Sequence, residues 1–301
     1  MTDNFSGKKS TDFDLSKIPD EQRLAFYGAL FAIASADGHF DKDEMDLICG
    51  VMDLDGMSDH AKEQVQEYFI DPPSLFLCLR TLSVADDTLR YGVMMNMIDT
   101  AWADNDLDSD EIQALKFAQT ELNISNEQRQ AIDNFIQKVR EVRARGLDDN
   151  QAADAIKTAT AGLSAVGVPI AAVYLSGSVI GLSAAGITSG LAALGLGFGM
   201  VPGIGIAVLL GTAIFMGVSQ LLDVGGQQEK ERLRVERERK AQLVIINLQG
   251  ALNKLIERVS NLQTVAADAE ANKEAIRVLT EKMRYLQQLV AKRKQASNNP
   301  A

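Results

Sequence analysis

The chain has 301 residues, is 46 % hydrophobic and carries a formal net charge of −11. That length allows one large domain or two to three small ones, with enough apolar material for a core. A net-acidic chain suits a nucleic-acid backbone poorly, so no nucleic-acid partner is expected.

The charge is uneven. Residues 1–150 hold 30 acidic and 14 basic side chains, whereas 151–301 hold 11 acidic and 16 basic. Such asymmetry points to separate modules with separate partners. The two cysteines, Cys49 and Cys78, sit in apolar surroundings and read as reduced core thiols. The opening MTDNFSGKKSTDFD has no apolar h-region, so no secretory signal is expected and the first module is placed in the cytoplasm.

Residues 1–18 read as a polar, disordered tail. From Pro19 to about Gly146 the spacing is helical: Leu24, Tyr27, Phe31 and Ala34 share a face, as do Met45, Ile48 and Met52. Six or seven short helices fit there. Asp71-Pro72-Pro73 interrupts them, its prolines suiting a helix start. Ser125-x-x-Gln128 has capping-box spacing.

Within this module one pattern is written twice. ASADGHFDKDE at 34–44 returns 67 positions later as AWADNDLDSDE at 101–111. Asp37 aligns with Asp104, Asp41 with Asp108, Glu44 with Glu111, and the apolar Met45, Ile48 and Val51 with Ile112, Leu115 and Ala118. Each copy reads as helix, turn, helix, and an internal duplication is the simplest account. Asp41-x-x-Glu44 and Asp108-x-x-Glu111 have the spacing of N-terminal helix caps, which accounts for much of the acidity. Asp37 and Asp104 end Ala-rich helices, where negative charge is unfavourable unless a cation or the next helix compensates. The second copy adds Asp106 and Asp110, an oxygen-rich cluster of the kind hard divalent cations take. An EF-hand does not fit: positions six and twelve counted from Asp104 are Ser109 and Leu115, and from Asp37 they are Lys42 and Ile48.

The twin A-D-G-x-Φ-x-x-x-E corners, where Φ is apolar, resemble the TerB-like domain of tellurite-resistance and stress-response proteins over about residues 20–142. The second corner has Asn105 where the first has Gly38. The resemblance implies an all-helical, internally duplicated bundle with an acidic surface suspected of binding metal. It implies a cytosolic sensor or adaptor, often attached to membrane or phage-defence modules. Its metal-site residues carry over to Asp37, Asp41, Glu44, Asp104, Asp108 and Glu111, with a divalent cation such as Ca2+ as the cofactor and no organic cofactor.

From Thr158 to Leu222 there are 65 consecutive residues without Asp, Glu, Lys, Arg or His. About 20 apolar residues span a bilayer as a helix, so a membrane hairpin is expected here. Its candidate spans are about 162–187 and 203–222. Arg140, Arg143, Arg145 and Lys157 precede the run and Lys230, Arg232 and Arg234 follow it, placing both flanks in the cytoplasm. Gly177, Gly181 and Gly186 lie near the small-xxx-small spacing that lets helices approach in lipid. The same composition fits an apolar hairpin hidden in a soluble form and released later. Gly195-x-Gly197-x-Gly199 and Gly7-Lys8-Lys9-Ser10 lack the context of phosphate loops.

Residues 227–297 are charged and helical. Leu243, Ile246, Leu255, Val259 and Leu262 form one seam; Ile276, Leu279, Met283, Leu286 and Val290 form another. An antiparallel hairpin or a single long coiled-coil helix fits, with a protein partner or self-association to cover the seams.

Only two histidines are present, His39 and His60, with no zinc or redox motif and no positioned nucleophile. The chain is not read as an enzyme. The fold class expected is all-α: a duplicated short-helix bundle over 19–146, an apolar Gly-rich helical hairpin over 158–222, and a coiled-coil-like hairpin over 227–297. The function expected is a membrane-anchored, non-catalytic, metal-responsive adaptor or sensor in bacterial stress response or defence, at the inner membrane with both terminal regions cytoplasmic. The lipid bilayer is its partner through 158–222. The alternative is an α-helical membrane-permeabilising effector; a soluble scaffold predicts no membrane contact.

Overall fold

The computed structural model describes residues 18–38, 40, 42–103, 106–145, 150–169, 172–173, 227–264 and 269–298. Among them the fold is all-α, with ten helices and no strand.

Helix α1 (Asp20–Ile33) starts after Pro19, whose carbonyl accepts from the Gln22 and Arg23 amides. Asp20 and Glu21 in its first turn suit the helix dipole. It is followed by α2 (Lys42–Val51) and α3 (Asp59–Glu67), the latter capped by Ser58, whose hydroxyl accepts from the Ala61 amide at 3.3 Å. Pro72 and Pro73 lie in the turn before α4 (Leu75–Ser83), one step ahead of the helix start suggested by the sequence. Then come α5 (Asp87–Ala101), capped by Asp86, α6 (Ser109–Glu121) and α7 (Asn126–Arg145). Ser125 and Gln128 make both capping-box bonds, at 2.9 and 3.2 Å. Seven helices thus fill the first module.

Two of them are central. Helices α1 and α5 are buried on nearly every side, which is how a helix flanked by others on all faces must be composed. Helices α2, α3 and α4 pack on α1; α6 and α7 pack on α5. Phe31, Phe40, Tyr68 and Phe69 form an edge-to-face cluster beside α1, with Phe31 and Phe69 centroids 4.7 Å apart.

The expectation of a membrane hairpin at 158–222 is corrected. Among the described residues no helix is long and apolar enough to cross a membrane. That overturns the membrane anchor, the bilayer as partner, the inner-membrane placement and the membrane-permeabilising alternative. A physical reason is visible where the run begins. Its first residues belong to α8 (Asn150–Ala165), which packs on α7 and buries Thr160 and Leu163. Gly167, at φ +79°, then ends the helix, with the Val168 amide returning to the Leu163 carbonyl at 3.0 Å. A span starting at 162 is therefore interrupted within its first two turns. Val168, Ala172 and Val173 join the same protein core as α1 and α5. Residues 174–226, with most of both candidate spans, lie outside the described residues.

The chain ends in two long helices, α9 (Gln227–Thr264) and α10 (Ala269–Asn298), packed on each other. Leu248, Ala251 and Leu255 of α9 and Leu279, Leu286 and Leu289 of α10 are buried. Ile246, placed on the seam by its spacing, is instead 59 % exposed. Both helices also pack on the first module: α9 touches α2 and α3, and α10 touches α2.

Candidate functional site

The first acidic corner follows α1. The Ala36 amide bonds the Ile33 carbonyl at 3.0 Å and the Gly38 amide bonds Ser35 at 3.2 Å, unwinding the helix into a turn. Gly38 sits at φ +85°, a conformation natural to glycine. Asp37 is exposed on this turn; Glu44, in the first turn of α2, is buried. Asp41 lies outside the described residues, as does His39.

The second corner is spent on helix capping where it is described. The Asp108 carboxylate accepts from the Asp110 amide at 2.7 Å and the Glu111 amide at 2.8 Å, while Glu111 accepts from the Asp108 amide at 3.1 Å. This reciprocal pair satisfies three amides that a helix start would otherwise leave open. Asp106 and Asp110 are exposed, and Asp104 lies outside the described residues. Two of the six carboxylates carried over from the resemblance are thus not described. Among the described residues no group of three His, Cys, Asp or Glu side chains is placed to hold a metal ion.

Behind the second corner lies a buried polar group on α5. Asn96, Asp99 and Thr100 are fully buried, and the Asn96 amide donates to the Gly92 carbonyl at 2.9 Å. Arg140 of α7 stands 3.9 Å from the Asp99 carboxylate and 5.8 Å from the Trp102 ring centre. The guanidinium offsets a carboxylate that burial would otherwise make costly. It also sits over the ring face of the single tryptophan.

Two arginines escaped the sequence reading. Arg23 of α1, 2 % exposed, donates to the carbonyls of Asp55 at 2.8 Å and Asp53 at 2.6 Å. Tyr27 donates to the same Asp53 carbonyl at 2.6 Å, and its hydroxyl accepts from the Asp53 amide at 3.1 Å. Burial, with Asp53 nearby, pushes the Tyr27 phenol up to about 12. Arg90 of α5 donates to the Leu122 carbonyl at 2.6 Å. Each arginine ties the start of a central helix to the chain leaving the next helix. Their 67-residue separation was visible in the sequence, although no acidic or apolar motif marked it.

A lysine site was also missed. Lys282 of α10 places its ammonium 2.9 Å from the Phe69 carbonyl and 5.2 Å from the centre of the Phe40 ring. Lys254 of α9 stands 3.9 Å from Glu67, the last residue of α3. Contacts across more than 180 residues leave no local signal to read.

The thiols are inert in position. Neither Cys49 nor Cys78 forms a disulfide, both are buried, and burial raises Cys78 to about 11. Comparison with curated proteins and with solved structures finds no match. The TerB-like resemblance is shown over fewer residues than 20–142, and the matched domain is non-catalytic. The family model that matches is that of the tellurite resistance protein TerB, over residues 13–67, a stretch that spans α1, α2 and α3 and holds the first acidic corner.

Proposed function

We propose that this chain is a non-catalytic adaptor of stress response: a TerB-like helical module joined to an antiparallel helical hairpin, α9 and α10, that carries the surface for a protein partner. One observation carries the reading. The module already binds helices of this chain, through buried leucines and through lysines seated on its α3 end. The outer face of the pair keeps Ile246, Ile256 and Val278 exposed at 59, 44 and 38 %. Proximity labelling in cells that make the protein tests it, comparing the native chain with Ile256→Asp/Val278→Asp. Loss of a defined set of labelled proteins is expected. An unchanged set would refute the adaptor role of that face.

The module itself is proposed to be two copies of a three-helix unit. Helices α1, α2 and α3 start at Asp20, Lys42 and Asp59; α5, α6 and α7 start at Asp87, Ser109 and Asn126, each 67 residues later. Arg23 reaches the carbonyl of residue 55 and Arg90 that of residue 122, again 67 apart. Gly56 at φ 73° has Asn123 at φ 51° as its counterpart. Asparagine is among the few other residues that take this conformation readily. These coincidences support duplication well beyond the acidic corners.

Divalent-cation binding by Asp37, Asp41, Glu44, Asp104, Asp108 and Glu111 is proposed as a second property of the same module, on the chemistry of its carboxylates. Calcium titration followed by Trp102 fluorescence and calorimetry tests it. A flat response in both would leave the corners as helix caps alone.

A further inference from the structure

The C-terminal end of α3 is electrostatically incomplete by itself. Its last turn has no basic residue and ends on Glu67, whose carboxylate meets the negative end of the helix dipole. The amides of Tyr68, Phe69, Ile70 and Asp71 return to the carbonyls of Gln64, Gln66 and Glu67. Two carbonyls further out, that of Phe69 takes its hydrogen bond from the Lys282 ammonium at 2.9 Å. Lys254 stands against Glu67 at 3.9 Å. Both cations of this helix end therefore come from the last two helices of the chain.

The ammonium seat has a defined shape. Phe69 is fully buried and Phe40 is 8 % exposed, so neither can turn away. Their ring centres lie 6.4 Å apart, and Phe31 holds both edge-to-face at 4.7 and 5.7 Å. The face of Phe40 receives the ammonium at 5.2 Å from its centre. A ring face and a helix-end carbonyl together replace part of the water that a lysine loses on burial. Desolvation lowers the Lys282 pKa accordingly. Next to the seat α9 approaches α3 closely: a Cβ on Gly250 would fall 2.3 Å from the Gln66 side-chain nitrogen. The acidic first half and the net-basic second half of the chain are also complementary in charge.

We propose that Phe40, the Phe69 carbonyl and the C-terminal end of α3 form a binding site for a lysine ammonium presented on an amphipathic helix, with Lys282 of α10 as its resident occupant and a partner's lysine-bearing helix as its competitor. The site rests on the adaptor reading only for the existence of that competitor. Its geometry stands independently of the outer face tested by proximity labelling, so either can fail alone. Because Lys282 is tethered to the site, a helix supplied from outside competes against a high effective concentration.

The test uses the full chain and a fluorescent synthetic peptide of residues 272–298. In the native chain, hydrogen exchange at Tyr68–Asp71 is expected to be slow. Lys282→Met keeps the apolar stem and removes the charge. It should speed that exchange at least tenfold, while Lys282→Arg restores protection and circular dichroism shows all three chains folded. By anisotropy, the peptide should bind the Lys282→Met chain at least tenfold more tightly than the native chain. The same peptide carrying Lys282→Met should bind at least tenfold more weakly than the native-sequence peptide. Equal exchange in the native and Lys282→Met chains would overturn the proposal. So would equal binding of the two peptides, or no binding of the native-sequence peptide to the Lys282→Met chain. Concentration-dependent dimerisation of the Lys282→Met chain in place of peptide binding would overturn it in favour of helix exchange between copies.

Discussion

Replacing Arg23 by Met tests whether the buried arginine organises the first half of the module. Methionine retains much of the aliphatic length and removes every donor. Two hydrogen bonds are lost, to Asp55 at 2.8 Å and Asp53 at 2.6 Å. A bond from a charged donor contributes about 1.5–3 kcal/mol, so the gross loss is about 3–6 kcal/mol. Two effects offset it. The Asp53 carbonyl keeps the Tyr27 hydroxyl at 2.6 Å, and the buried Arg23 Nε, which has no hydrogen-bond partner, disappears along with the charge. Relieving that orphan donor and the desolvated cation returns about 1–3 kcal/mol. A net destabilisation of about 2–3 kcal/mol follows from these terms. Arg90→Met loses one such bond, to Leu122, and an ion pair with Asp87, whose side chain is 61 % exposed. An exposed pair contributes little, so Arg90→Met should cost about 1–2 kcal/mol. Urea unfolding gives both values if the slope with denaturant stays constant. Equal costs for the two variants, or a cost below about 0.5 kcal/mol for Arg23→Met, would refute the assignment of the arginines as unequal ties of the same kind.

Asp108→Ala should cost about 1 kcal/mol in the same assay and Asp108→Asn only a few tenths, because asparagine caps a helix nearly as well as aspartate. A large loss of stability in Asp108→Asn would contradict the capping account. Gly38→Ala should cost about 1–2 kcal/mol, all of it from the φ of +85°, since a Cβ there meets nothing within 4 Å; a neutral result in thermal melts would show that the turn relaxes. Tyr27 and Cys78 have pKa values raised in the fold to about 12 and about 11 from ordinary values of 10.0 and 9.0. Between those limits the unfolded chain has released protons that the folded chain retains, so stability is intact below pH 9 and falls as pH rises from about 9 to 12. Each group accounts for about 2–3 kcal/mol by linkage. Urea midpoints that do not change between pH 8 and 11 would refute this, and Cys78 should react with a thiol reagent at pH 8 only after denaturation.

The parts of the fold that were legible are those with short-range signals. Helical spacing of apolar residues and the capping pairs at Ser125 and Asp108 announced the first module, and seven helices stand there. The offset of 67 placed the corners in register. The uncharged run misled because composition alone does not distinguish burial in lipid from burial in protein. Leu163, Val168 and Ala172 are buried against other parts of this chain. The seams of the last two helices were legible only in part. Leu255, Leu279 and Leu286 are buried as their spacing suggests, yet Ile246 is exposed. Arg23, Arg90, Phe40 and Lys282 went unread because their roles depend on carbonyl groups and ring faces brought together by tertiary packing.

Helices α3 and α7 differ in how they end. Helix α7 runs for 20 residues and carries Lys138, Arg140, Arg143 and Arg145 toward its own C-terminal end. Helix α3, nine residues long, carries Lys62 in its first turn but no cation in its last, stops at Glu67, and a Pro-Pro turn sends the chain away to α4. The negative end of the α3 dipole is met by Lys254 and Lys282 of the last two helices. Among the described residues the last two helices pack on α2 and α3, and Phe40, beside the first acidic corner, meets Lys282 of α10. A change in how α9 and α10 sit would reach that corner directly. It would reach the second corner through the packing of α1 and α2 on α5 and of α1 and α4 on α6.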